Sequence, residues 1–215
     1  MSNLKRALRL IKKSWNFIWK GDSLTSWILA FLVSYFIIKF IFFPIIEFSL
    51  HTDLPLVAVV SGSMEHRLND QGIICGKRLL SYSDDFDSFW NACGSWYEER
   101  NITKEQFENF PLKDGFNKGD VMIIYNPGIE NIKVGDVIVF DSLFLKYPVI
   151  HRVVNKTYIN STFFFDTKGD HNNGQNFDEH MITPSRIHGK AVFRIPYLGY
   201  PKIWLFEIYQ KIKHR

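Results

Sequence analysis

A chain of 215 residues has room for one domain of ordinary size and an anchor. Hydrophobic residues make up 46% of it, with 20 Phe, enough apolar surface for a core, which argues against disorder. The net charge of +4 gathers at one end: residues 1–23 carry Lys5, Arg6, Arg9, Lys12, Lys13 and Lys20 against Asp22 alone. Such a terminal basic patch beside an apolar run points to a membrane surface rather than to nucleic acid.

In chain order, the basic segment 1–23 places Leu4, Leu8, Ile11, Trp15, Ile18 and Trp19 at helical spacing, predicting an amphipathic helix on the cytoplasmic membrane face. "LTSWILAFLVSYFIIKFIFFPII", residues 24–46, follows. A bilayer-spanning helix needs about 20 apolar residues, and the only charge, Lys39, sits near one end where it can snorkel to the headgroups. The run is too long for the apolar core of a cleaved signal peptide, and no small-x-small site follows, so a retained single-pass signal anchor is expected. The positive-inside rule puts the N-terminus in the cytoplasm and residues from about 47 onward on the outer face, and the expected location is the plasma membrane.

The part beyond the anchor, 47–200, reads as an antiparallel β domain. "LPLVAVV" (54–60), "VMIIY" (121–125), "VIVF" (137–140), "YPVIHRVV" (147–154), "STFFF" (161–165) and "KAVFRI" (190–195) are short runs rich in Val, Ile and Phe. Turn signals such as "NPG" and "KVGD" separate them, with no long helix between, which opposes βαβ units. Residues 76–118 are acidic and aromatic and predict a small helical insertion, with Thr103 and Gln106 spaced as a capping box. Cys75 and Cys93 can pair but are too few for a metal site. Three N-x-Ser/Thr triplets, at Asn101, Asn155 and Asn160, allow glycosylation. The last segment, 201–215, mixes Ile203, Trp204 and Phe206 with basic residues and predicts an amphipathic helix.

Within "VVSGSMEH" (59–66), Ser61 and Ser63 are candidate nucleophiles, and a serine hydroxyl needs a base to take its proton. His151 lies in an apolar strand run, where an imidazole needs a reason to be. A base in turn needs a carboxylate to hold its tautomer. The loop "DTKGDHNNGQNFDEH" offers Asp166, Asp170, Asp178 and Glu179. Lys146 and Lys168 remain rival bases for a Ser/Lys enzyme. A catalytically inactive, membrane-anchored β binding module is the rival from another functional class.

In this order "SGSME", "KGDVMIIY", "IKVGDVIVF", "VIHRVV", the "KGD" loop and "GKAVFRIPYLG" resemble type I signal peptidases over about 55–75 and 117–200. The usual bacterial branch of that family has Lys where this chain has His151, whereas the endoplasmic reticulum and archaeal branch has His within "HR", and the chain resembles the latter. The resemblance implies a membrane-anchored serine endopeptidase that cleaves signal peptides from secreted preproteins after small residues. Ser63 would be the nucleophile and His151 the general base, with Ser63 N–H and the Ser61 hydroxyl as oxyanion donors. Asp178 is the expected acid, with Asp170 as supporting residue or alternative. The implied partners are preprotein signal peptides, the lipid bilayer and the Sec translocon, with no nucleic acid and no metal or other cofactor. The chain departs from the family pattern at His171, inserted in "GDHNN", at Asn176, where the acid would be spaced, and at His66, where proline is usual.

Overall fold

The computed structural model describes residues 2–201 and 203–204, in two units, 1–49 and 50–215. The C-terminal amphipathic segment expected at 201–215 lies almost wholly outside the described residues.

The first unit is helical. Helix α1 (Ser2–Lys20) exposes Leu8, Trp15 and Trp19. Helix α2 (Leu24–Ile37) starts at Ser23, whose hydroxyl accepts from Ser26 N–H. A π-helical stretch, Ile38–Phe42, joins it to α3 (Phe43–Leu50). The cause is Pro44, which has no N–H and whose ring would strike the carbonyl four residues back in a regular helix; the wider turn, in which Phe43 N–H bonds Ile38 O, relieves both. The resulting helix, Leu24–Leu50, has 27 residues and is long and apolar enough to cross a membrane, with none of its most apolar window buried. It continues four residues past the expected end at Ile46.

The second unit is an antiparallel β half-barrel with helical additions, as the strand rhythm predicts. Its six strands are β1 (Leu56–Ala58), β4 (Val121–Tyr125), β5 (Val137–Phe140), β6 (Val149–Ile159), β7 (Thr162–Lys168) and β8 (Ile187–Ile195). They lie in the order β1-β4-β8-β5-β6-β7, every pairing antiparallel. Register shifts at Ile123/Ile124, Val139/Phe140 and Val153/Asn155 bend the sheet. Strand β5, "VIVF", is buried at all four positions because both its faces are covered: Val137 and Val139 join Met122, Ile124 and Ile150, while Ile138 and Phe140 join Val153 and Phe165. Strands β6 and β7 run beyond their sequence-expected ends. Their hairpin turns on Asn160 and Ser161, both at positive φ (49° and 61°), the geometry of a two-residue primed turn.

The stretch expected as a helical insertion, 76–118, holds two helices. A short ribbon, β2 (Ile73–Ile74) with β3 (Lys77–Arg78), precedes α4 (Phe86–Glu98) and α5 (Lys104–Glu108). Asp85 caps α4, and Thr103 and Gln106 form the expected capping box of α5. Phe89, Trp90, Tyr97 and Phe107 build its core, and Cys75 and Cys93 are disulfide-bonded.

Candidate active site

Ser63 lies in the turn that follows β1, and His151 lies within β6. His151 Nε2 is 2.9 Å from Ser63 Oγ, and Ser61 Oγ is 3.1 Å from Ser63 Oγ. The Ser63 side is partly open, whereas His151 is only 5% exposed. The other ring nitrogen, Nδ1, bonds Glu179 Oε1, which is buried with it. A carboxylate at Nδ1 requires a proton there, leaving Nε2 as the acceptor for the Ser63 hydroxyl. Ser61 can then donate to Ser63 Oγ, making a directional chain from Ser61 to Glu179.

The carboxylate that meets His151 is Glu179, not the expected Asp178 or Asp170. Neither Asp178 nor Asp170 bonds His151. Asp178 accepts from the Ser142 hydroxyl, from Leu143 N–H at 3.1 Å and from Arg186 at 3.2 Å, so it pins the segment that follows β5. Burial tends to raise its pKa, but those donors hold it below the usual carboxylate value. Asp170 is completely buried and accepts from Arg152 Nη2 at 2.7 Å, His66 Nε2 at 2.9 Å and Tyr97 Oη at 2.9 Å. Burial again pushes its pKa up, and the Arg152 guanidinium with the His66 hydrogen bond overcomes this, holding it well below the carboxylate range.

Strand geometry separates the two carboxylates. Neighbouring residues of a strand face opposite sides. In the β5–β6 register His151 stands opposite Ile138 and Arg152 opposite Val137. His151 therefore points to the side where Glu179 sits, and Arg152 to the side where it neutralises Asp170. One residue along, the "HR" pair serves two different acids.

Glu179 is aimed by its own backbone. It ends the 3-10 turn Phe177–Glu179, where Asn176 and Glu179 form a capping box: the Asn176 side chain accepts from Glu179 N–H, and Glu179 Oε2 accepts from Asn176 N–H at 2.6 Å. That leaves Oε1 for His151. The N-x-x-E spacing of "NFDE" is a sequence signal of the same kind as the one at Thr103 and Gln106, and it marks Glu179 as a capping residue without saying which side chain it meets.

The Ser63 backbone is held as firmly. Its carbonyl accepts from His171 N–H at 2.9 Å, and its N–H makes no hydrogen bond among the described residues. Gly169 fits against this junction; a Cβ there would come within 2.8 Å of both His151 Nε2 and Ser63 O. Of the rival bases, Lys146 is exposed, and neither lysine bonds Ser63 among the described residues. Lys168 is fully buried, with Nζ 3.0 and 3.1 Å from the carbonyls of Gly169 and Asp170. Burial lowers its pKa to about 8, despite the opposing pull of Asp170.

Ser63 and His151 open onto a cleft of about 450 Å³, also lined by Val57, Val59, Phe144, Tyr147 and Phe177. Strand β1 is an edge of the sheet and borders this cleft. Val59, the residue after β1, bonds toward the β4 side, through Val59 N–H to Asp120 O and Gly119 N–H to Val59 O. By the alternation of antiparallel ladders, the backbone of Ala58 and Val60 faces the open side. No group of His, Cys, Asp or Glu suited to a metal ion occurs among the described residues.

No family model matches the chain. Among curated proteins it is similar to signal peptidase complex catalytic subunits named SEC11. The identity is 31% over 102 residues with that of Colletotrichum graminicola, covering 45% of this chain and 59% of that protein. It is 30% over 102 residues with that of Plasmodium falciparum, covering 45% and 54%, and 30% over 105 residues with that of Lachancea thermotolerans, covering 45% and 61%. The matched part thus spans between 54% and 61% of the length of these three relatives. The chain is a distant homologue of these catalytic subunits.

Proposed function

We propose that this distant homologue of signal peptidase complex catalytic subunits is a membrane-anchored serine endopeptidase that removes N-terminal signal peptides from preproteins after small residues. The observation that carries the reading is the hydrogen-bonded series Ser63 Oγ, His151 Nε2, His151 Nδ1 and Glu179 at the mouth of an apolar cleft. The extended substrate pairs with the open edge of β1 through Ala58 and Val60, and its small side chains enter the cleft. Ser63 Oγ attacks the scissile carbonyl while His151 Nε2 takes its proton, and Glu179 stabilises the imidazolium. Ser63 N–H, with the Ser61 hydroxyl turned from Ser63 Oγ, receives the oxyanion. The carbon–nitrogen bond then breaks, and the proton passes from His151 to the leaving amine of the mature protein. Water, deprotonated by the same histidine, releases the signal peptide as a carboxylate and restores the Ser63 hydroxyl.

The apolar helix Leu24–Leu50 supports anchoring in a bilayer, with the basic N-terminal segment on the cytoplasmic side. Nothing in the helix or in the relatives' names singles out the plasma membrane, so the anchoring is proposed for a membrane without naming it. The relatives' names describe subunits of a complex, which supports partner subunits for this chain as well, beside the preprotein and the translocon that delivers it.

The test is cleavage of a preprotein by the full chain in detergent micelles, compared with Ser63→Ala, His151→Ala, Lys146→Met and Lys168→Met. Both Ser63→Ala and His151→Ala should abolish the cut while Lys146→Met retains it. Unchanged product from Ser63→Ala would eliminate the nucleophile. Retained cleavage in His151→Ala with loss in Lys146→Met or Lys168→Met would instead favour a Ser/Lys mechanism, and no cleavage by the unsubstituted chain would favour a binding module.

A further inference from the structure

Resting on the reading of Ser63 as nucleophile, we propose that the helical insertion 76–118 is a positioning device for that serine, acting through the Tyr97 hydroxyl and the Asp170 loop. Tyr97 projects from α4 and is completely buried among Trp90, Phe107 and Trp96. An all-apolar core would be satisfied by phenylalanine; the hydroxyl instead reaches across 73 positions of sequence to donate to Asp170 Oδ1 at 2.9 Å. The insertion also completes the far end of the same cluster. Arg152 donates to the carbonyls of Pro111 and Leu112 and lies 4.7 Å over the Phe107 ring.

His66 closes the cluster on its remaining side. Its ring stacks on Phe89 of α4, centroids 3.5 Å apart, and Nε2 contacts Asp170 Oδ2. Its Nδ1 is buried without a hydrogen-bond partner among the described residues. The tautomer with the proton on Nε2 puts a donor on the carboxylate and leaves only a lone pair unpaired, so His66 acts as a neutral donor. Arg152 and Asp170 then balance in charge, and three side chains with fixed geometry hold one carboxylate.

The consequence for Ser63 runs through backbone bonds. Asp170 belongs to the loop in which Gly169 abuts His151 Nε2 and His171 N–H bonds Ser63 O. On its other side His171 O accepts from Cys75 N–H at 2.9 Å, and Cys75 is the residue disulfide-bonded to Cys93 of α4. The insertion therefore grips the loop at the Asp170 side chain and, through the disulfide to Cys75, at the His171 carbonyl, and the loop in turn holds the carbonyl of Ser63. A displacement of about 1 Å at a reacting atom can slow a reaction about a hundredfold.

The test uses the full chain in detergent micelles with a fluorogenic peptide spanning a signal-peptide cleavage site. Tyr97→Phe keeps the ring and removes only the hydroxyl. It should lower kcat about tenfold with KM nearly unchanged. The His171 amide should exchange with solvent faster while amides of the β6–β7 hairpin keep their protection, a local change that global destabilisation would not produce. His66→Ala should behave in the same way, and His66→Gln, which keeps a donor at the same reach, should recover most of the rate. Lys104→Ala, on the insertion surface where it pairs with Asp87, should leave both readouts unchanged. The proposal is overturned by wild-type kcat and His171 exchange in Tyr97→Phe or His66→Ala, or by exchange that accelerates equally everywhere. If Ser63→Ala still cleaves, the nucleophile assignment fails instead, while the exchange measurement continues to report on the grip of Tyr97 on the loop.

Discussion

Replacing Glu179 by Gln changes one atom and tests which carboxylate serves His151. Glu179 Oε2 accepts from the Asn176 N–H at 2.6 Å, and Oε1 bonds His151 Nδ1. In the variant the amide oxygen must take the Asn176 N–H, because the reversed amide would face donor to donor in a buried site, at about 1–3 kcal/mol. The amide NH2 then donates to Nδ1, which moves the ring proton to Nε2. In that tautomer Nε2 cannot accept the Ser63 proton. The same tautomeric fault in a Ser-His-Asp protease costs about 10⁴ in kcat, equivalent to about 5 kcal/mol of transition-state stabilisation. A loss of roughly 10³–10⁴ in kcat is therefore expected, with KM changed little, by steady-state cleavage in micelles. Asp178→Asn, which loosens only the Ser142–Leu143 segment beside the cleft, should stay within about tenfold of the unsubstituted rate. Wild-type turnover by Glu179→Gln alongside collapse of Asp178→Asn would refute the assignment.

Three further outcomes follow from the same geometry. Gly169→Ala places a Cβ 2.8 Å from His151 Nε2 and from Ser63 O, and 2.7 Å from Asn172 Nδ2. Opening these contacts by about half an ångström should cost about 10–100-fold in kcat, with the chain still folded, as seen by unfolding and cleavage side by side. Lys168 has its pKa lowered from 10.5 to about 8, so between those values the unfolded chain binds more protons and stability rises with pH. Below pH 8 the buried ammonium costs the fold on the order of 3 kcal/mol. Chemical denaturation of Lys168→Met should lack this rise, and its difference from the unsubstituted chain isolates Lys168 from Tyr97, whose raised pKa acts in the opposite direction above pH 10. Finally, the Cys75–Cys93 bridge has a sequence separation of 18, and reduction or a double Ala substitution should remove roughly 3 kcal/mol of stability, read as a lower unfolding midpoint. An unchanged midpoint would mean that the bridge constrains nothing.

Much of the molecule was legible in the residue order because the signals are local. An uninterrupted apolar run reports a long helix wherever it lies, and β4 and β5 coincide with their Val/Ile runs because each is buried by its own composition. Strand β6 was extended beyond its apolar run because pairing with β7 carries polar residues such as Asn155 and Thr157 into the ladder. Residue types leave Ser61 and Ser63 both open, with His151 as a base; the resemblance to type I signal peptidases selects Ser63, and the structure brings it to 2.9 Å from His151. The acid was not found in this way. The resemblance suggests Asp178, yet a carboxylate's role depends on which face of β6 it reaches and how its loop is capped.

That division marks what each level determined. The sequence alone determined the apolar helix, the β character of the larger unit and the capped insertion helix, all consequences of periodicity and residue chemistry over short spans, while the choice of Ser63 with His151 came from the resemblance to type I signal peptidases. Only the tertiary structure decided that Glu179 faces His151 while Asp170 is held by Arg152 on the other side, and that Tyr97 and His66 join the insertion to the serine's loop. These contacts link residues 28, 18, 73 and 104 positions apart, and no local pattern specifies which of several carboxylates a closing chain will bring to a given side chain.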